Sequence, residues 1–256
     1  MPAADPVRIL HLTDPHLFSA ADGTLRGVNT LSTLERVLGD VKRRTWPADI
    51  VLATGDISHD EPSGAYELFR AALEPLGLPV YCIPGNHDIR DAMSAALSAK
   101  PFRYCESYVA GDWLVLGIDS CAERGAAGYL SDDELHRLQV SLDEAQQEHV
   151  AVCLHHPPLP MKSRWLDTVG LDNADDFLDI IDAAGNVRAV VFGHVHQAFD
   201  ETHRGIRIIG TPSTCAQFLP RSDTFAIDDR PPAYRRITLT PDGGVDTELI
   251  WLEEDE

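Results

Sequence analysis

Aspartate, asparagine and histidine recur in this chain at one kind of place, directly after a short apolar run. Residues 187–192 are rich in β-branched and aromatic types and stop at Gly193, which reads as a buried strand. His194 and His196 follow. If the chain stays extended past Gly193, the two imidazoles are two residues apart and point the same way, which is how a strand end offers nitrogens to a metal cluster. One such pair alone is weak evidence, but the arrangement repeats. Residues 7–13 end in Asp14 and His16, and residues 49–54 end in Gly55 and Asp56. Residues 80–84 end in Gly85, Asn86, His87 and Asp88, and residues 150–154 in His155 and His156. Five strand ends thus deliver metal-binding side chains where open α/β sheets place their sites. A sixth run, 113–118, ends in Asp119 and Ser120 without such a cluster, so the pattern marks particular strands.

An alternation of strand and helix positions these ends. The spacing of Leu31, Leu34, Val37, Leu38 and Val41 predicts a helix over 30–46, capped by Asn29 or Thr30 and stopped by Pro47. A second helix is predicted over 63–73, broken at Pro75 and Gly77. The order β-α-β-α-β implies parallel strands joined by crossovers. Next come a short helix over 91–99, with Met93 and Leu97 inward, and a hairpin of 107–110 with 113–118 around Gly111 and Asp112. Ser131 opens a helix to about 147, with Glu134 completing a capping box. Asn173 caps another helix, which runs to Ala184 and is ended by Gly185. After His196 the chain reads as strand only: 197–202, 206–209, 233–240 and 245–252, the last two pairing across 241–244. These late strands require a second sheet. Two packed sheets with helices outside, in one domain spanning 1–256, is the economical architecture.

Composition narrows the function. The formal net charge of −20 over 256 residues repels polyanions, so nucleic acid and anionic membranes are excluded as partners held by broad electrostatics. A small phosphate substrate is compatible, because two divalent metals reverse the field locally. The five cysteines have no paired spacing, and Cys82 and Cys153 fall inside apolar runs, which argues for a reducing compartment and against a thiolate zinc site. No basic leader and no run of about 20 apolar residues is present, so the expectation is a soluble, cytoplasmic protein.

The assembled blocks resemble the signature of the calcineurin-like metallophosphoesterases, DxH…GD…GNH(D/E)…H…GHxH, and all five stand in order from Asp14 to His196. The resemblance implies a four-layer αββα sandwich with two central mixed β-sheets. Further stretches, 9–18, 27–30, 154–160 and 211–218, resemble the bacterial class III cyclic nucleotide phosphodiesterases, which implies hydrolysis of 3′,5′-cyclic AMP to 5′-AMP. Carried over block by block, one metal would take Asp14, His16, Asp56 and His196, and the other Asp56, Asn86, His155 and His194. The implied reaction is in-line attack by a hydroxide bridging the metals. A ligand set of nitrogen and oxygen without sulfur suits manganese, iron or zinc, and the resemblance favours iron or manganese. His87 would face the substrate and protonate the leaving alkoxide, with Asp88 holding its ring. One departure is His59, which stands where many members of the superfamily carry an acidic residue.

Other readings remain beside these. A broader phosphodiesterase acting on 2′,3′-cyclic nucleotides, glycerophosphodiesters or aryl esters would use the same cluster. A non-catalytic scaffold ranks last, because no ligand position has been lost. His156 reads as packing under Pro157 and Pro158, His11 as a core or sheet-edge histidine, and His59, His136, His149 and His203 as solvated. Trp165 and Phe218 read equally as purine-stacking or buried rim residues. Arg124, Arg164 and Arg221 are loop arginines within reach of a phosphate or facing water.

Overall fold

A computed structural model describes residues 5–253 except 61. In chain order the first sheet begins with β1 (Val7–Leu12), β2 (Ile50–Ala53), β3 (Val80–Cys82) and β4 (Phe102–Tyr104). Between them run α1 (Thr30–Arg44), α2 (Pro62–Leu73) and α3 (Arg90–Leu97). The second sheet follows as β5 (Tyr108–Ala110), β6 (Trp113–Gly117), β7 (His149–Leu154), β8 (Val187–Phe192), β9 (Phe199–His203) and β10 (Ile206–Gly210). Its helices are α4 (Asp132–Asp143) and α5 (Ala174–Ala184). The chain then returns to the first sheet with β11 (Ala233–Leu239) and β12 (Val245–Trp251).

Both six-stranded sheets are mixed. Their orders are β12-β11-β1-β2-β3-β4 and β9-β10-β8-β7-β6-β5. The crossover strands β1 to β4 pair in parallel, as do β10, β8, β7 and β6, whereas β11, β12, β9 and β5 are antiparallel additions.

Period-two alternation sorts the strand side chains into three cores. In β1 and β2, Leu10, Val51 and Ala53 face α1 to α3. In β7 and β8, Val150, Val152, Leu154, Val190 and Phe192 face α4 and α5. The intervening residues, among them Ile9, Leu52, Ala151, Cys153, Ala189 and Val191, meet between the sheets. The layers are therefore helix, sheet, sheet, helix, as the resemblance implied. Both faces of each central strand are buried, which explains their near-continuous apolar runs.

The two sheets are also tied by a buried polar link. His11 Nε2 pairs with Thr54 Oγ1 (2.8 Å), beyond β2, and its Nδ1 with Thr211 Oγ1 (2.7 Å), beyond β10. Burial, then the Arg235 charge, lowers the His11 pKa from 6.5 to about 3. The unfolded chain takes up a proton near pH 6.5 that the fold refuses until about pH 3, so this group's contribution to stability is lost as pH falls through that window. Urea unfolding is expected to show stability decreasing from about pH 7 to 4, with a shallower slope in His11→Gln.

The elements match their sequence signals with a few differences. Asn29 caps α1, accepting from Ser32 N–H (2.7 Å). Ser131 caps α4, but Glu134 does not close the box: its carboxylate takes Asp119 N–H and Arg137 instead. Asn173 precedes α5 without capping it, because its amide bonds both backbone groups of Leu130. Short two-residue ladders at Thr24–Leu25 with Val28–Asn29, and at Gln217–Phe218 with Ile227–Asp228, lie in stretches with no strand signal.

Candidate metal centre

Strand register brings the candidate ligands level within each sheet. Leu12 pairs with Ala53 and Ala53 with Cys82 in the first, and Phe192 with Leu154 in the second. His194 N–H, donating to the Asp14 carboxylate (3.0 Å), joins the two sets of loops. Asp14 N–H donates to Gly55 carbonyl (3.1 Å) and His16 N–H to Asp56 carbonyl (2.9 Å), knitting the first two loops together. Asp14, His16, Asp56, His194 and His196 all have positive φ, between 47° and 66°. Asp and His tolerate this left-handed region better than most residues, at about 1–3 kcal/mol each.

Such turns throw neighbouring side chains to different sides. The expectation of an extended chain past Gly193 is corrected here: Val195 N–H donates to the Gly193 carbonyl (2.7 Å), closing a three-residue turn about His194. His194 and His196 therefore diverge. His194 Nδ1 lies 3.2 Å from His155 Nε2, whereas His196 Nε2 lies 3.1 Å from His16 Nε2.

Glycines stand before Asp56, Asn86 and His194, and at two of the three the carboxylates explain why. A Cβ on Gly85 would meet Asp56 Oδ1 at 2.2 Å, and one on Gly193 would meet Thr13 Oγ1 at 2.1 Å and Asp14 Oδ2 at 2.8 Å. Gly193→Ala is expected to lower stability by about 1–3 kcal/mol in urea unfolding and to weaken metal retention, because Asp14 must move.

The tautomers of two rings are set by carbonyls. His155 Nδ1 donates to the Thr54 carbonyl (2.6 Å) and His196 Nδ1 to that of Ala216 (2.6 Å). A carbonyl only accepts, so each ring carries a proton on Nδ1 and turns Nε2 inward. His155 Nε2 faces Asn86 Oδ1 at 3.2 Å and Asp56 Oδ1 at 3.5 Å. His196 Nε2 faces Asp14 Oδ1 at 3.4 Å, and His16 Nε2 stands 3.6 Å from Asp56 Oδ2. Asp56 thus presents one oxygen to each group. Asp14, His16 and His196 form one set of ligand-capable atoms within 4.8 Å of one another, and Asp14, Asp56 and His155 another.

The electrostatics suit cations. Burial works against ionising Asp14 and Asp56, but His196 beside the first and His155 beside the second outweigh it and hold both carboxylates below the usual range. Burial lowers His16 and His194 to about 3, which leaves them neutral. Burial also opposes charge on His155, yet Asp56 overcomes it and raises that ring to about 9. A field that favours a proton at His155 Nε2 favours a divalent ion there more strongly. Two carboxylates, one amide oxygen and four imidazoles converge, a donor set that fits two metal ions sharing Asp56.

Above the cluster lies a cleft of about 170 Å³ walled by Ala126, Trp165, Leu166, Val169 and Phe218, with His87 at its edge and, among the described residues, neither Lys nor Arg in its walls. Phe218 lies flat on His196 (ring centroids 4.1 Å apart, 6°), so one of its faces is covered, and Trp165 meets it edge-on at 5.3 Å. Arg164 is turned to Asp223 (3.1 Å).

Several readings change on this geometry. Asp88 does not hold the His87 ring. Its oxygens accept from Gly85 N–H (2.9 Å), Ile57 N–H (3.2 Å), Ser58 N–H (2.9 Å) and Tyr66 O–H (3.0 Å), so it pins the β2 and β3 loops to each other. His87 is exposed, and its backbone N–H donates to Asp56 Oδ1 (2.9 Å). His149 is buried against Trp113 and is not solvated, His203 pairs with Asp182, and His136 is exposed. His59 is half-buried in the cluster, with Nδ1 3.2 Å from His16 Nδ1. His156 is fully buried, its Nδ1 2.9 Å from Ser120 Oγ, beneath Gly128.

Sequence reasoning missed the supporting residues. Ser120 Oγ accepts from the N–H groups of His155 and His156 (3.1 Å each), which gives the unclustered strand end after β6 a part in the site. Ser213 Oγ donates to the Asp14 carbonyl (2.7 Å), and Gln217 clamps Ser213 in turn. The 211–217 stretch is therefore scaffold for Asp14 and His196.

Residues 7–198 match the family described as calcineurin-like phosphoesterase. The chain belongs to that family. This phosphoesterase is 37% identical over 255 residues to the 3′,5′-cyclic adenosine monophosphate phosphodiesterase CpdA of Pseudomonas aeruginosa, covering 99% of this chain and 93% of that one. It is 36% identical to CpdA of Vibrio vulnificus, over 95% of this chain and 89% of that protein. In fold it is similar to a dimetal phosphatase from Danio rerio, with a TM-score of 0.67 at 17% identity, over 96% of this phosphoesterase and 99% of that chain. The calcineurin-like phosphoesterases bind two metal ions, and this one has the His and Asp clusters to hold them. Among the described residues no helix is long and apolar enough to cross a membrane.

Proposed function

We propose that this phosphoesterase hydrolyses the diester of 3′,5′-cyclic AMP to 5′-AMP, using two metal ions held by Asp14, His16, Asp56 and His196 and by Asp56, Asn86, His155 and His194. The observation that carries the reading is the inward-facing donor cluster at the floor of a cleft that has no Lys or Arg in its walls among the described residues. A cleft without cationic side chains suits a mono-anionic diester better than a dianionic monoester, since less charge has to be neutralised. The naming of the two bacterial relatives as cyclic AMP phosphodiesterases supports the substrate.

When bound, the metal ions would acidify a water and neutralise phosphate charge. The rest falls to the chain. Asp56 sets the spacing of the two positions, and the Thr54 and Ala216 carbonyls keep His155 and His196 in the ligating tautomer. Trp165, Leu166 and Val169 exclude water from one side of the bound diester. His87, exposed at the cleft edge, gives a proton to the departing ribose alkoxide. The mixed nitrogen and oxygen donors suit manganese, iron or zinc, and the family resemblance favours iron or manganese. Five free thiols support work in the reducing cytoplasm.

The test compares kcat/KM for 3′,5′-cAMP, 2′,3′-cAMP and bis(p-nitrophenyl) phosphate with manganese-loaded protein, with products resolved by chromatography. Preference for 3′,5′-cAMP with 5′-AMP as sole product is expected. Preference for either other ester would replace the assignment with a broad phosphodiesterase.

A further inference from the structure

His155 and His196 each have a backbone carbonyl at the outer nitrogen, whereas His16 has another imidazole there. His59 Nδ1 lies 3.2 Å from His16 Nδ1. The His59 ring is held in place by Phe18 (centroids 4.9 Å apart, 52°) and stacks with His87 (5.0 Å, 22°). At 3.2 Å, two ring nitrogens share one proton, so one donates and the other accepts. The inner nitrogen of His16 decides which. It faces His196 Nε2 at 3.1 Å and Asp56 Oδ2 at 3.6 Å, and as a ligand it must present a lone pair. The His16 proton then sits on Nδ1 and points at a lone pair on His59 Nδ1. His59 in turn carries its own proton on Nε2, which has no protein partner among the described residues.

We propose that His59 is a positioning residue for the metal centre. It accepts the Nδ1–H of His16, fixes that ring's orientation with the Nε2 lone pair inward, and places a neutral N–H donor beside His87. This rests on the proposed reading of His16 as a ligand. The ligand-capable atoms of His16, His59 and His87 also lie within 4.8 Å of one another. They do not make a third cation site, because His16 occupies His59 Nδ1. Outer partners of this kind hold ligand rings, and their loss costs about 10–100-fold in metal affinity.

The experiment uses the full chain and two variants, titrated with Mn²⁺ against a competing chelator. His59→Phe keeps a ring for Phe18 and His87 to pack on but removes the acceptor. It is expected to weaken one of the two Mn²⁺ sites about 10–100-fold. His59→Gln offers an amide oxygen to the same proton and is expected to restore most of that affinity. In zinc-loaded protein with ¹⁵N-labelled histidine, the wild-type His16 ring is expected as the Nδ1–H tautomer. Wild-type affinity at both sites in His59→Phe, equal losses in the two variants, or an Nε2–H tautomer for His16 would each overturn the proposal. The readout is affinity and tautomer, so a failure of the cyclic AMP assignment is scored separately.

Discussion

Asp56→Asn is expected to lower kcat/KM for a phosphodiester by at least about 10³-fold while leaving the fold intact. The carboxylate is buried at the meeting point of the two sheets, with Oδ1 toward His155 and Oδ2 toward His16. Asparagine keeps the shape but has one acceptor oxygen and no charge, so it can serve one metal position and turns N–H groups toward the other. The amide also loses the charge that raises His155 and that the inward nitrogens are arranged around. Metal analysis should show occupancy falling from two ions toward one or none, and circular dichroism should be unchanged. Full occupancy with near wild-type turnover would remove Asp56 from the bridging position.

His87→Ala should separate substrates by leaving group. Its ring stands at the cleft edge, 4.9 Å from the His16 ring and 5.0 Å from that of His59. Ring opening of cyclic AMP expels an alkoxide, which departs slowly unless protonated, and a placed acid contributes about 10²–10⁴-fold. A nitrophenolate departs without help. The variant is therefore expected to lose about 10²–10⁴-fold in kcat on 3′,5′-cAMP and far less on bis(p-nitrophenyl) phosphate. Equal losses on both esters would mean that His87 acts by binding phosphate. Turnover of cyclic AMP within a few-fold of wild type would remove it from the reaction.

Much of the site was legible because its chemistry sits in side-chain identity at the ends of apolar runs. Asp14, His16, Asp56, Asn86, His155, His194 and His196 all converge, and within each sheet a parallel register makes that almost unavoidable once the five strand ends are recognised. What escaped reading was carried by the backbone. Any residue can supply the carbonyls of Thr54 and Ala216, so nothing in their identity marks them as partners of ligand rings. The turn at His194 depends on a positive φ that the strand-like run before it conceals. Asp88 was misread for a related reason: adjacency to His87 suggested a side-chain pair, but in a tight turn the carboxylate is captured by local N–H groups. His149 and Asn173 are polar residues at element ends, where sequence favours solvent or capping and long-range packing decided otherwise. The αββα layering was legible from the family resemblance, and only in part from the late strands: β9 and β10 join the second sheet, whereas β11 and β12 pair back onto β1 and extend the first.

The most direct test of the metal centre is anomalous diffraction from crystals grown with Mn²⁺. Two peaks are expected, about 3.5–4 Å apart and astride the Asp56 carboxylate. One should be bounded by Asp14, His16 and His196, and the other by Asn86, His155 and His194. A single peak, or two that do not share Asp56, would contradict the two-metal assignment.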